Sequence, residues 1–139
     1  LEVAATALGV EVTVDGTDAP IRAIPQLIYS IVYNLCDNAI KYNHCGGNVN
    51  IRVHQTLYNA VLSVKDTGIG IPEESRERIF ERFYRVDKSR SKEVGGTGLG
   101  LSIVKHAVMI HNGKIEVKSE LGERTEMIVT IPNKQDINL

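Results

Sequence analysis

No charge of either sign dominates this chain. Sixteen Lys and Arg stand against seventeen Asp and Glu, so no global field draws it to nucleic acid or to an acidic lipid surface. Any apolar run of membrane-spanning length is missing, as is a signal-peptide pattern, and the stretch is not expected to contact a membrane. Cysteine is scarce: Cys36 and Cys45 stand alone, without CxxC spacing. That excludes a disulfide framework and suggests a reducing compartment, with a Cys36–Cys45 bridge as the rarer alternative. The four histidines (His44, His54, His106, His111) form no metal-ligand pattern; His106 and His111 miss HxxxH spacing and read as ordinary helix residues. Repeats and low-complexity linkers are also lacking.

What is present suits one domain over 1–139, with 42% hydrophobic and 24% charged residues, enough for a single core. The first residue is Leu, and 1–8 read as the tail of a helix stopped by Gly9, so the stretch is expected to be a piece of a longer protein. Val10, Val12 and Val14 alternate as a half-buried strand. Pro25 can open a helix that runs to about Tyr42, with Leu27, Ile31, Leu35 and Ala39 at four-residue steps on its apolar side. Val49, Ile51 and Val53 alternate, and a turn near Tyr58-Asn59 leads to a strand over 60–65, a hairpin. A short helix is expected over 73–83, its acidic first turn favoured by the helix dipole. Arg82, Arg85, Lys88, Arg90 and Lys92 make a basic, aperiodic loop. A helix from Leu99 to about His111 follows, stopped at Asn112-Gly113. Two strands close the chain, and 133–139 look frayed. Few helices against a mostly antiparallel, mixed sheet predict an α+β fold, a two-layer sandwich with about three helices.

Three stretches carry chemistry. In YNLCDNAIKY a helix places Asn34, Asn38, Lys41 and Tyr42 along one side, next to the apolar one. Such a face can hold something polar; the plainer alternative is a solvated face that happens to contain Asn. Gly96, Gly98 and Gly100 stand just before a helix, where free backbone N–H groups favour phosphate. It is not a Walker loop, since no Lys follows, and it follows a charged loop rather than the strand of a dinucleotide fingerprint. Asp66, at a strand end before Gly68 and Gly70, offers a carboxylate beside a flat backbone. An acceptor there suits the exocyclic amine of adenine, whereas most Asp-Thr-Gly tripeptides are plain turns.

In this order and at these separations, NLxxNAxKY, DTGIGI, ERIFERFYRVD and GGTGLGLSI resemble the ATP-binding catalytic domain of sensor histidine kinases, in the Bergerat-fold superfamily. The resemblance runs from Val10 to Pro132 and is to the phosphate-regulon and cell-wall-regulon type of bacterial kinase. It implies ATP and Mg²⁺ as cofactors. Asn38 would give its amide oxygen to Mg²⁺; Asn34 and Lys41 would meet the phosphates. Tyr42 would lie against adenine and Asp66 would fix its amine, with Gly68 and Gly70 letting the backbone pass close. Phe80 and Phe83 would anchor a lid from which Arg85 reaches the phosphates, and Thr97, Gly98, Leu99, Gly100 and Leu101 would cradle them. One motif departs: Gly122-Glu123-Arg124-Thr125 carries Arg where the family has a second glycine, which puts the Thr125 contact in doubt.

Asn34 discriminates among relatives of this fold. Hydrolytic members and single-domain serine kinases carry a glutamate there to take a proton from water or a hydroxyl. An amide cannot do so, and a neutral imidazole nucleophile does not need it. The resemblance therefore implies a protein-histidine kinase acting in two-component signalling, with Asn34, Lys41 and Arg85 assisting transfer. None of the four histidines lies in a phosphoacceptor segment, so the acceptor belongs to a separate dimerisation domain of a homodimeric parent, with a response regulator downstream. The domain would be cytoplasmic and the parent anchored in the cell membrane. An ATPase or serine kinase of the same fold and a non-catalytic nucleotide sensor are the alternatives.

Overall fold

The computed structural model describes residues 2–86 and 98–133. Helix α1 (Glu2–Leu8) precedes strand β1 (Glu11–Gly16) and the long helix α2 (Pro25–Lys41). Strands β2 (Asn48–Gln55) and β3 (Asn59–Asp66) form a hairpin, two single 3₁₀ turns (Glu73–Ser75 and Arg78–Phe80) follow, and helix α3 (Gly100–Ile110) leads to β4 (Lys114–Glu120) and β5 (Arg124–Pro132). The five strands lie in the order β1-β2-β3-β5-β4, with β1 parallel to β2 and every other pair antiparallel. The expected α+β sandwich with a mixed, mostly antiparallel sheet is what forms: α2 supplies the crossover that a parallel β1–β2 pair requires.

Local chemistry sets the ends of the helices. At α1, Gly9 (φ 71°) takes the left-handed conformation, Val10 N–H donates to Ala5 C=O (2.9 Å) and Gly9 N–H to Thr6 C=O (3.2 Å), a Schellman stop. The same motif ends α3 with Asn112 (φ 55°) in that role and Gly113 N–H donating to Val108 C=O at 3.0 Å. Helix α2 opens on Pro25 at its first turn, and no side chain caps it from Ile24. The Ile24 N–H instead donates to His111 Nε2 (3.0 Å), and His111 Nδ1 lies 2.7 Å from the Ala107 carbonyl, which accepts from it. His111 is thus a buried strut between the end of α3 and the start of α2, not the ordinary helix residue expected.

Sheet register separates a wet face from a packed one. Thr13, Asn50, Lys65, Glu126 and Lys118 form one cross-strand row, and Asp15 and Arg52 begin the next, joined at 2.9 Å. Neighbouring rows, such as Ile51, Val64, Met127 and Val117, face the helices, while Val14 at the edge of that row is exposed. Ile31, Leu35 and Ile40 of α2 and Val104 and Val108 of α3 are buried against Val49, Val64 and Val129. Each such side chain contributes about 1.5–3 kcal/mol of transfer free energy. Asn133, expected to fray, is tied by its N–H to the Tyr58 carbonyl at 2.9 Å.

The helix expected over 73–83 is replaced by the two 3₁₀ turns. Competing tertiary anchors explain the difference. Buried Ser75 shares a hydrogen bond with Tyr84 Oη (2.8 Å), and Arg76 Nη2 donates to the Ser119 carbonyl. Both anchors hold the first turn and its end, and Phe83 ends the segment in the left-handed region (φ 66°), which no continuous helix would permit.

Candidate functional site

A cavity of about 370 Å³ opens where the polar side of α2 meets the start of α3 and the ends of β3 and β5. Of the residues singled out from sequence, Asn34, Asn38, Lys41, Tyr42, Asp66, Gly70, Arg85, Gly98, Gly100, Leu101 and Thr125 all line it. Gly68 and Leu99 stand just behind the wall. Gly68 turns its N–H to Asp66 Oδ1 (2.8 Å), and Leu99 is the N-cap of α3, accepting from Ser102 Oγ (2.8 Å). Thr97 lies outside the described residues, together with Lys88, Arg90, Lys92 and Gly96.

The amide face of α2 is held in place from two sides. Asn34 Nδ2 donates to the Ser30 carbonyl one turn back (2.8 Å), which leaves Oδ1 directed at the start of α3. A Cβ on Gly100 would sit 3.0 Å from that oxygen, so glycine lets the two helices meet there. Lys41 Nζ pairs with Asp37 at 3.0 Å. Asp37 also lines the cavity and was missed from sequence; its i, i+4 spacing to Lys41 was the available signal. Asn34, Asn38 and Asp37 offer hard oxygen donors at this end. Among the described residues no group of three or more His, Cys, Asp and Glu could cage a metal by itself. This donor set fits Mg²⁺, which keeps waters and takes phosphate oxygens as further ligands.

At the opposite end Asp66 is partly buried. Desolvation pushes its carboxyl up from 3.8 to about 6, although N–H donors from Gly68 and Thr125 act in the other direction. Val12, Val49, Asp66, Thr125 and Ser119 form one row across all five strands. The 66–72 loop is docked on the β4–β5 turn: Gly122 N–H donates to the Ile69 carbonyl (2.6 Å), and a Cβ on Gly70 (φ 73°) would overlap the Glu120 carbonyl. Ser119 Oγ, buried, lies 2.7 Å from Ile71 N, 2.8 Å from the Arg124 carbonyl and 2.8 Å from Thr125 Oγ1. Ser119 was also missed, since nothing in its local pattern separates it from other strand serines. Arg124 leaves Thr125 undisturbed, because its side chain turns outward to Glu120 (2.7 Å) while Thr125 stays buried and keeps its N–H on Asp66.

The aromatic pair expected at the lid base divides. Phe80 is half-buried with Lys105 over its ring at 5.7 Å. Phe83 is 64% exposed and packs into no core. Its N–H donates to the Gly98 carbonyl (2.7 Å), and a Cβ on Gly98 (φ 77°) would meet Phe83 Cα at 2.7 Å. Phe83 and Gly98 therefore meet at one closely packed backbone junction beside the cavity.

Residues 23–135 match the family model described as histidine kinase-, DNA gyrase B- and HSP90-like ATPase. The chain is 43% identical over 124 residues to the sensor-like histidine kinase SenX3 of Mycolicibacterium smegmatis, covering 86% of this chain and 32% of that protein. It is 44% identical over 111 residues to the sensor histidine kinase WalK of Bacillus subtilis, covering 78% of this chain and 18% of that one. The chain thus spans a third or less of the length of these relatives. Among solved structures it superposes on the mycobacterial sensor histidine kinase MprB with a TM-score of 0.84 at 31% identity, over 97% of this chain and 91% of that chain. Full-length ShkA in complex with AMPPNP matches at a TM-score of 0.81 and 28% identity, over 99% of this chain and 28% of that one.

Proposed function

Because the chain belongs to the histidine kinase-, DNA gyrase B- and HSP90-like ATPase family, we propose that it is the catalytic domain of a sensor histidine kinase. In this reading it binds Mg·ATP and donates the γ-phosphoryl group to a histidine on a separate helical dimerisation domain of its parent. The observation that carries the reading is the polarity of one cavity: a partly buried carboxylate, Asp66, at one end and the Asn34–Asn38–Lys41 face of α2 at the other. An amine acceptor and a polyphosphate-binding face in one cavity suit the two ends of ATP. The SenX3 and WalK likenesses, and the ATP analogue in ShkA, support it.

Each side chain has a part in the proposed mechanism. Asp66 accepts from the adenine amine, Tyr42 and Ile69 flank the base, and Gly70 lets the backbone approach it. Lys41 gives up part of its pairing with Asp37 to approach the phosphates as a point charge, and Arg85 meets them from the other rim. The N–H groups at the start of α3 receive phosphate oxygens. Mg²⁺, held with Asn38, would neutralise charge on the β- and γ-phosphates. Asn34 positions the γ-phosphate without acting as a base, which suits an imidazole nucleophile and leaves water unactivated.

The test is transfer in trans. The domain is mixed with labelled ATP, Mg²⁺ and the phosphoacceptor hairpin of a sensor kinase of this type. An acid-labile, alkali-stable label on the hairpin, abolished by Asn38→Ala, is expected. An acid-stable label, or phosphate released to water at a comparable rate, refutes the histidine-kinase assignment.

A further inference from the structure

Ser119 makes no contact with the cavity, yet the hydrogen-bonding capacity of its hydroxyl settles which way the neighbouring Thr125 hydroxyl points. A serine hydroxyl has one proton and two lone pairs. Ile71 N–H, at 2.7 Å from Ser119 Oγ, can only donate, and so occupies one lone pair. The Arg124 carbonyl, at 2.8 Å, can only accept, and so takes the proton. Thr125 Oγ1, at 2.8 Å, is left with the second lone pair, and must donate to it. The Thr125 proton is thereby committed away from the cavity. Thr125 lines the cavity next to Asp66 in the same cross-strand row, so its hydroxyl has only lone pairs, and no proton, left to offer a ligand there.

From this geometry we infer that Ser119 is a specificity-determining residue, which locks Thr125 as an acceptor so that the base end of the cavity offers two acceptors and admits a purine with a 6-amino donor while rejecting a 6-oxo purine. The inference rests on the proposed reading that the base of ATP lies at Asp66. A bare carboxylate would reject a 6-oxo group only partly, because a hydroxyl beside it could rotate and donate. With Ser119 in place that rotation would break a buried bond, so the oxo group meets two lone-pair surfaces and no donor. The same serine ties the 66–72 loop to the β4–β5 turn through Ile71, which keeps the two acceptors at a fixed separation.

The experiment compares ATP with inosine triphosphate, in which oxygen replaces the 6-amine, N1 carries a proton in place of its lone pair, and position 2 stays bare. Affinities of the wild-type domain for both Mg²⁺ complexes are measured by calorimetry, then those of Ser119→Ala and Thr125→Val. Wild type is expected to prefer ATP by about 100-fold or more. In Ser119→Ala the freed Thr125 proton can turn inward, and the ATP:ITP ratio should narrow by about tenfold, the equivalent of one hydrogen bond changing sign. Thr125→Val leaves the Ser119 bonds to Ile71 and Arg124 in place, and should narrow the ratio similarly. Adding Ser119→Ala to Thr125→Val should then change it no further. A purely structural role for Ser119 would weaken both nucleotides in parallel at constant ratio, and that result overturns the inference. If Ser119→Ala does not fold, an unchanged ratio in Thr125→Val overturns it equally. A wild type that binds both nucleotides alike removes the inference alone, whereas one that binds neither removes the nucleotide reading as well.

Discussion

Replacing Asp66 by asparagine should stabilise the free domain at neutral pH while weakening nucleotide binding. The carboxyl is raised from 3.8 to about 6 by burial. The folded chain therefore holds this proton more tightly than the unfolded chain, and folding becomes less favourable as pH rises between those two values. Above pH 6 the full cost is in place, about 3 kcal/mol at 1.36 kcal/mol for each pK unit. Asparagine removes that charge but has one acceptor oxygen for the two N–H groups of Gly68 and Thr125 that Asp66 accepts, a loss of about 1 kcal/mol. The net gain is about 2 kcal/mol at pH 7.5, falling to about zero near pH 4.5, where most of the wild-type cost has been relieved. Urea denaturation at both pH values measures it. An Asp66→Asn domain less stable than wild type at pH 7.5, or a difference that does not change with pH, would refute the reasoning. The same ionisation governs the ligand: wild-type ATP affinity should fall about tenfold per unit as pH drops below 6, a dependence that Asp66→Asn loses along with most of its affinity.

Three other perturbations separate the parts of the fold. Gly100→Ala places a methyl group 3.0 Å from Asn34 Oδ1; transfer should fall at least about tenfold through displacement of that amide, with stability within about 1 kcal/mol of wild type because alanine suits the helix better. His111→Ala removes the strut between α3 and α2, leaving Ile24 N–H unsatisfied, and should cost about 2–4 kcal/mol in urea melts. Phe83→Gly should stabilise the domain by about 1 kcal/mol, since glycine relieves the positive φ at a side chain that is largely in solvent.

Much of this architecture was legible because its signals are local. The 3.6-residue apolar repeat and Pro25 identify α2 as a helix over 25–41, and alternation identifies the strands of both hairpins. The polar side of the C-terminal half of that helix, Asp66 at the end of β3 and Gly98 and Gly100 at the start of α3 converge on one cavity. What was illegible depends on partners distant in sequence. The 73–83 stretch has the acids and the composition of a helix, but Tyr84 and Ser119 anchor Ser75 and Arg76 at the end of its first turn, where the helix stops. Ser119 and His111 carry no signal beyond their own names, since their roles arise from contacts 48 and 87 residues away. Arg124 raised doubt about Thr125 through its missing glycine, yet the positive φ of that turn falls at Gly122, and Arg124 opens β5 as a strand residue.

The central claim is that this cavity takes ATP with its base at Asp66 and its phosphates at α2. A calorimetric titration of the wild-type domain with ATP, with and without Mg²⁺, alongside Asp66→Ala and Asn38→Ala, tests it most directly. Saturable one-to-one binding is expected, with Asp66→Ala weakening it whether or not Mg²⁺ is present. Asn38→Ala should weaken chiefly the Mg²⁺-dependent part. No saturable heat from wild type, or an affinity unmoved by Asp66→Ala, would contradict the account.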